Sequence, residues 1–272
     1  MPRRHLPSSA AMKFHTRFLI PFAVVVALVV AACGDDDSAG TTEAPGTEAP
    51  ASTTTAVPTS ESTTTIAPNA PPFGPADYDG FRAQPTACGA EAPEPVELMA
   101  FDEPDDMALD PSIPITATIS TTCGDIVVEL DPSTAPETVN SFVFLADQGY
   151  FDGSASHRIS PGFVMQAGDP TATGRGGPGY SIPDELPADG FTYTRGTLAM
   201  ANSGPNTSGS QFFIMLDDAG LPPAYSVFGQ VVEGLDVLDR IATVPLGFSA
   251  SGELSSPLES VYLVKVAVDL PS

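Results

Sequence analysis

The stretch Ile115 to Pro132, ITATISTTCGDIVVELDP, alternates β-branched and small residues on either side of Cys123-Gly124-Asp125. Alternation of period two is the mark of a half-buried strand, and a Gly-containing break between two such runs predicts a β-hairpin turning near Gly124. The next segment, Ser133 to Phe151, changes period. Val139, Phe142, Val143 and Ala146 recur at helical spacing, and Thr134 with Glu137 three residues later has the form of a capping box. Beyond it lie short apolar runs separated by Gly and Pro: HRIS (157–160), FVMQAG (163–168), RGTLAMA (195–201), SQFFIML (210–216), YSVFGQVV (225–232) and VYLVKVAVDL (261–270). A second helix is expected at EGLDVLDRIA (233–242), where Leu235, Leu238 and Ile241 share a face. Several short strands with two helices in about 160 residues point to one mainly-β domain over residues 113–272, and periodicity alone leaves sandwich and barrel open.

Toward the N-terminus the composition changes twice. Residues 73–112 are rich in Pro and acid and are expected to be irregular structure lying against the domain. Residues 33–72 are made of Thr, Pro, Ala, Ser and Glu with hardly a large apolar side chain, too little to offset the entropy of ordering, and are read as a disordered tether. Residues 1–32 carry Lys13 and Arg17 before the apolar run FLIPFAVVVALVVAA, the form of a signal peptide, with Met12 the expected true start. The ending VAAC (30–33) resembles a bacterial lipobox, which implies lipidation of Cys33 and export to the outer face of the cytoplasmic membrane. In that oxidising setting Cys88 and Cys123 are candidates for a disulfide, closing a loop of about 35 residues worth roughly 3–4 kcal/mol; the alternative is two buried free thiols.

The chain of 272 residues has 34 acidic and 10 basic side chains, and four of the basic ones precede Cys33. Such a charge balance argues against nucleic acid and anionic headgroups as partners. GRGGPG (174–179) matches a dinucleotide-binding pattern only formally, because Pro178 interrupts it and YSIPDELPADG cannot follow as a helix; a surface loop is the reading. Beyond the leader His157 is the sole histidine, so neither a metal site, a cofactor nor a nucleophile–histidine pair is expected, and His157 is read as a hydrogen-bonded structural residue. Rotation about a prolyl bond is a chemistry that needs none of these.

SHRISPGFVMQAGDP (156–170), followed by GTLAMANSGPNTSGSQFFIML (196–216) and VFGQVVEGLDVLDRIA (227–242), resembles the cyclophilin family of peptidyl-prolyl cis/trans isomerases. The likeness runs from about Ile115 to Val268 and includes APETVNSFVFLADQGYFDG (135–153). It implies a closed eight-stranded antiparallel β-barrel capped by two α-helices. It also implies roles: Arg158, Gln166 and Phe163 at the catalytic centre, with Val164, Ala201, Asn202, Gln211, Phe213, Leu221 and Tyr225 binding substrate. Val164 stands where many members have methionine and Tyr225 where many have histidine, and the tryptophan some members carry before Leu221 is absent.

The peptide bond resists rotation by roughly 18–20 kcal/mol because nitrogen donates its lone pair to the carbonyl. Twisting returns that lone pair to the imide nitrogen, so a donor aimed at it favours the twisted form over either planar one. Arg158 is the expected donor, read as such in preference to an ion-pair partner, with Gln166 holding its fork. The partners expected are proline-containing, partly folded exported proteins met by a monomer. Two other readings use the same residues: a binding module that docks proline-containing loops without turnover, and a general envelope chaperone.

Overall fold

The computed structural model describes residues 71–270. The expected signal peptide, the lipidation of Cys33 and the tether up to residue 70 lie outside the described residues. In chain order the elements are α1 (Tyr78–Arg82), a 3₁₀ turn (Ala87–Gly89), β1 (Ile115–Thr121), β2 (Gly124–Leu130), α2 (Pro136–Asp147), β3 (Arg158–Ser160), β4 (Val164–Ala167), β5 (Thr197–Met200), β6 (Phe212–Met215), β7 (Val227–Glu233), α3 (Leu235–Ala242), β8 (Leu246–Phe248), β9 (Leu254–Pro257) and β10 (Leu263–Asp269).

Eight strands form one antiparallel sheet in the order β10-β1-β2-β7-β5-β6-β4-β3, and β8 pairs only with β9. The hairpin at Gly124 sets the register, with Ile115 opposite Leu130, Ala117 opposite Val128 and Ile119 opposite Ile126. All six are buried, so this face holds the core. The expected closed barrel is corrected: the sheet curls into a half-barrel whose edges are β3 and β10. β3 has only three residues before Pro161, and the seam is bridged by the segment that precedes it: Gly153 N–H donates to the Leu263 carbonyl, Leu263 N–H to the Ser154 carbonyl and Ser156 N–H to the Val261 carbonyl, each at 2.8 Å. One isolated bridge, Ala155 to Tyr262, spans the seam.

Helix α2 is buried on nearly all sides, from Thr138 through Ala146, because the N-terminal extension covers its outer face. Phe101 meets Phe144 edge-on at 5.0 Å, and Asn140 bonds Met107 N–H and the Asp105 carbonyl, both at 2.9 Å. The capping box does not form. Pro136 occupies the first turn, Thr134 bonds back to the Asp131 carbonyl, and Glu185 from a distant loop accepts from the N–H groups of Glu137 (3.0 Å) and Thr138 (2.8 Å). On α3, Leu238 and Ile241 are buried with Val237, whereas Leu235 faces outward at the first position. The extension is less irregular than its composition suggests: α1 buries Phe81 against Ala155, Ala172 and Tyr262, and Cys88 is disulfide-bonded to Cys123. Among the described residues no helix is long and apolar enough to cross a membrane.

Candidate active site

Strand pairing places one row of residues across four strands: Arg158 opposite Gln166, Gln166 opposite Phe213, and Phe213 opposite Ala199. The neighbouring row, Ile159, Met165, Ile214 and Leu198, belongs to the main core. Successive side chains in a strand point to opposite faces, so the first row lies on the outer face of the half-barrel. There Val164, Ala199, Phe213, Met215 and Tyr193 form a second apolar cluster with Phe163, Ala201, Leu221 and Tyr225 packed against it. The turn between β3 and β4 delivers Phe163. Its sequence, Ser160-Pro161-Gly162-Phe163, has a bond from Phe163 N–H to the Ser160 carbonyl (2.9 Å) and Gly162 at φ 73°, a type II turn in which proline presets the first corner and glycine takes the left-handed one.

These residues enclose a cavity of about 260 Å³ lined by Arg158, Phe163, Val164, Gln166, Ala201, Asn202, Phe213, Leu221 and Tyr225. Phe163, Val164, Ala201, Phe213, Leu221 and Tyr225 form an apolar side and Arg158, Gln166 and Asn202 a polar one, the make-up of a site that seats a small apolar ring and orients the groups beside it. Of the catalytic and substrate-binding residues that the resemblance implied, only Gln211 lies outside it. Gln211 lines an adjoining, more polar cavity of about 230 Å³, which shares Gln166, Ala201 and Asn202. The Asn202 side chain is engaged in structure, donating to the Ala224 carbonyl at 2.8 Å and so holding the loop that brings Leu221 and Tyr225 to the site.

A chain of hydrogen bonds runs behind the cavity. Arg158 Nη1 donates to Gln166 Oε1 at 3.4 Å, Gln166 Nε2 to Gln211 Oε1 at 3.0 Å, and Gln211 Nε2 to the Gly176 carbonyl at 2.9 Å. The loop bearing Gly176 is gathered around the buried carboxylate of Asp169, which accepts from the N–H groups of Thr171, Arg175 and Gly176. Burial alone would raise the Asp169 pKa, but the Thr171 hydroxyl, the Gly176 and Thr171 N–H groups and His157 together hold it below the usual carboxylate value.

Two expectations need correction. Arg158 is an ion-pair partner after all: Nε and Nη2 donate to the Glu253 carboxylate at 2.8 and 2.7 Å, while the guanidinium carbon lies 5.5 Å from the Phe163 ring centroid. Five N–H donors on a planar fork allow an ion pair on one edge and leave donors on the other. His157, expected to be hydrogen-bonded, has a buried Nδ1 with no partner among the described residues. Burial pushes its imidazole down to about 4, with Asp169 opposing and Arg158 adding to the shift, so it is neutral near pH 7. It does not line the apolar cavity.

Sequence reasoning missed Glu253, Asp169 and Tyr193. The Tyr193 hydroxyl donates to the Tyr225 carbonyl at 2.9 Å and its ring packs near Phe213 and Tyr225, fixing the far wall. Asp169 followed by Thr171 was a legible Asx-turn signal; nothing local marks Glu253. Among the described residues no group of His, Cys, Asp and Glu is arranged to hold a metal.

The family model described as cyclophilin type peptidyl-prolyl cis-trans isomerase/CLD matches residues 116–268, which hold the whole outer-face row and all of the half-barrel but one residue at each end. The chain belongs to the cyclophilin family of peptidyl-prolyl cis–trans isomerases. This cyclophilin is 39% identical over 218 residues to a Mycobacterium tuberculosis protein named probable peptidyl-prolyl cis-trans isomerase B, covering 75% of this chain and 69% of that one. The Mycobacterium leprae protein of the same name is 37% identical over 214 residues, covering 73% and 70%. A Cryptosporidium parvum cyclophilin crystal structure superposes with a TM-score of 0.52 at 30% identity, covering 59% of this chain and 100% of its own. A second structure of that protein, in the presence of the dipeptide Ala-Pro, gives 0.51 at 32% identity, covering 57% and 99%. The activity that goes with the cyclophilin domain is peptidyl-prolyl cis–trans isomerisation.

Proposed function

We propose that the outer-face cavity is where this cyclophilin turns the Xaa-Pro bond, with Arg158 as the donor to the twisting imide nitrogen. The observation that carries the reading is the placement of one guanidinium in a small cavity whose apolar side is formed by Phe163, Val164, Phe213, Leu221 and Tyr225. Those walls seat the proline ring and hold one end of the bond. Ala201, Asn202 and Gln211 lie toward the adjoining polar cavity, where the residues before proline run.

As the bond twists, the nitrogen leaves conjugation and becomes a hydrogen-bond acceptor; no proton is transferred and no covalent bond forms. A donor already fixed beside it stabilises the twisted form more than the planar ones. A differential of about 7 kcal/mol corresponds to roughly 10⁵-fold acceleration, within the reach of a charge-assisted donor combined with positioning in a partly dry cavity. Arg158→Ala is expected to lower kcat/KM on a short Xaa-Pro peptide by about 10²-fold or more, measured by exchange between cis and trans NMR signals. An unchanged rate would remove Arg158 from the mechanism.

In the cell we place this monomeric activity on exported proteins after translocation, with the enzyme held to the outer face of the cytoplasmic membrane by a lipid on Cys33. The leader pattern ending at Val30–Cys33 and the slowness of prolyl isomerisation in folding support this. Mass spectrometry of the mature amino terminus tests the anchor, an unmodified N-terminus other than Cys33 being the contrary result.

A further inference from the structure

We propose that Glu253 is a positioning residue of the isomerase, holding the Arg158 guanidinium so that its remaining edge faces the proline seat. The inference rests on the reading of Arg158 as the donor. The Gln166 contact at 3.4 Å is too long to fix a guanidinium by itself, whereas the two Glu253 contacts at 2.7 and 2.8 Å form a fork-on-fork pair that sets both its plane and its rotation. Glu253 takes the Nε and Nη2 edge; Nη1, toward Gln166, is left on the cavity side. Glu253 itself does not line the apolar cavity. It lines a separate cavity that also borders Arg158, with Ser249 and Ser255, so it acts through the arginine and not on the peptide.

The carboxylate is in turn held by the fold. It sits at the tip of the β8–β9 hairpin, where Ser249 N–H donates to the Glu253 carbonyl at 2.7 Å and the Ser255 hydroxyl to Glu253 Oε2 at 3.0 Å. The N-terminal extension anchors that hairpin. Phe248 N–H donates to the Pro72 carbonyl, Gly74 N–H to the Phe248 carbonyl, both at 2.9 Å, and the Ser256 hydroxyl to the Pro75 carbonyl at 3.1 Å. Residues outside the span of the family model thereby support the orientation of an active-site group.

The pair is partly exposed, 29% for Arg158 and 39% for Glu253, so it adds little to stability, and positioning separates cleanly from folding. In the full chain, Glu253→Gln is expected to lower kcat about tenfold, leave KM within about twofold and leave Tm within a few degrees. The Arg158 Nε–H, which donates to Glu253 at 2.8 Å, should exchange slowly with solvent in the wild type and faster in this variant. Glu253→Asp should fall between, and Ser255→Ala should give a smaller loss of the same kind. In an Arg158→Ala background Glu253→Gln should add nothing. An unchanged or raised kcat in Glu253→Gln, or an equal further loss in the Arg158→Ala background, would overturn the proposal. Full activity in Arg158→Ala alone would instead overturn the reading of the arginine, so the two failures are distinguishable.

Discussion

His157 shows how one residue links the site to acid stability. Its imidazole, pushed down to about 4 by burial, lies below the ordinary value near 6.5, so the unfolded chain takes up the proton first. Stability is therefore complete above about pH 6.5 and falls as pH drops toward 4, by up to about 3 kcal/mol for a single enclosed group. Asp169 acts in the same direction at lower pH, because its depressed carboxyl gives stability that is lost as pH falls through its folded value. His157→Gln should flatten the dependence of unfolding free energy between pH 6.5 and 4.5, read from urea denaturation at each pH; an unaltered slope would show that the proton goes elsewhere. At this scale the sequence was informative wherever chemistry is local. Arg158, Phe163 and Gln166 lie within nine positions on one hairpin, whereas Glu253 reaches Arg158 across 95 residues, a separation at which no spacing argument operates.

Among the elements, α2 depends on a residue it does not contain. Three donors at its first turn, the N–H groups of Glu137 and Thr138 and the Thr138 hydroxyl, converge on the Glu185 carboxylate at 2.7 to 3.0 Å. A carboxylate at a helix N-terminus satisfies orphan donors and opposes the positive end of the dipole. Glu185→Ala should cost about 1–2 kcal/mol in chemical denaturation, and Thr134→Ala, the cap suggested by the local pattern, only a few tenths. Equal costs for the two would restore the local cap. The main strands were legible because alternation and burial agree along them, as in β1 and β2. The β8–β9 hairpin was not: Pro245, Gly247, Gly252 and Pro257 read as punctuation, and prolines survive there because the pair stands apart from the main sheet.

For the molecule as a whole, the family resemblance made the eight-stranded antiparallel sheet legible, though not that it stays open, and left the extension dark, because Pro-rich acidic sequence carries no periodicity to read. Order there comes from long-range contacts: Phe101 on Phe144, the Phe81 carbonyl accepting from the Tyr262 hydroxyl at 2.9 Å, and the Cys88–Cys123 bond to the first hairpin. The bond closes a span of 35 residues, which on the chain-entropy model removes about 3–4 kcal/mol of freedom from the unfolded state. Replacing both cysteines by serine should therefore lower the unfolding free energy by about that amount, and reductant should bring the wild type down to meet it. Isomerase activity at 25 °C should persist, because residues 72–75 hold the Glu253 hairpin through their own hydrogen bonds and not through Cys88. A change in unfolding free energy below about 1 kcal/mol would mean that residual structure already confines the unfolded chain between the two cysteines, and a parallel loss of kcat would mean that the extension holds the hairpin as one unit with the disulfide.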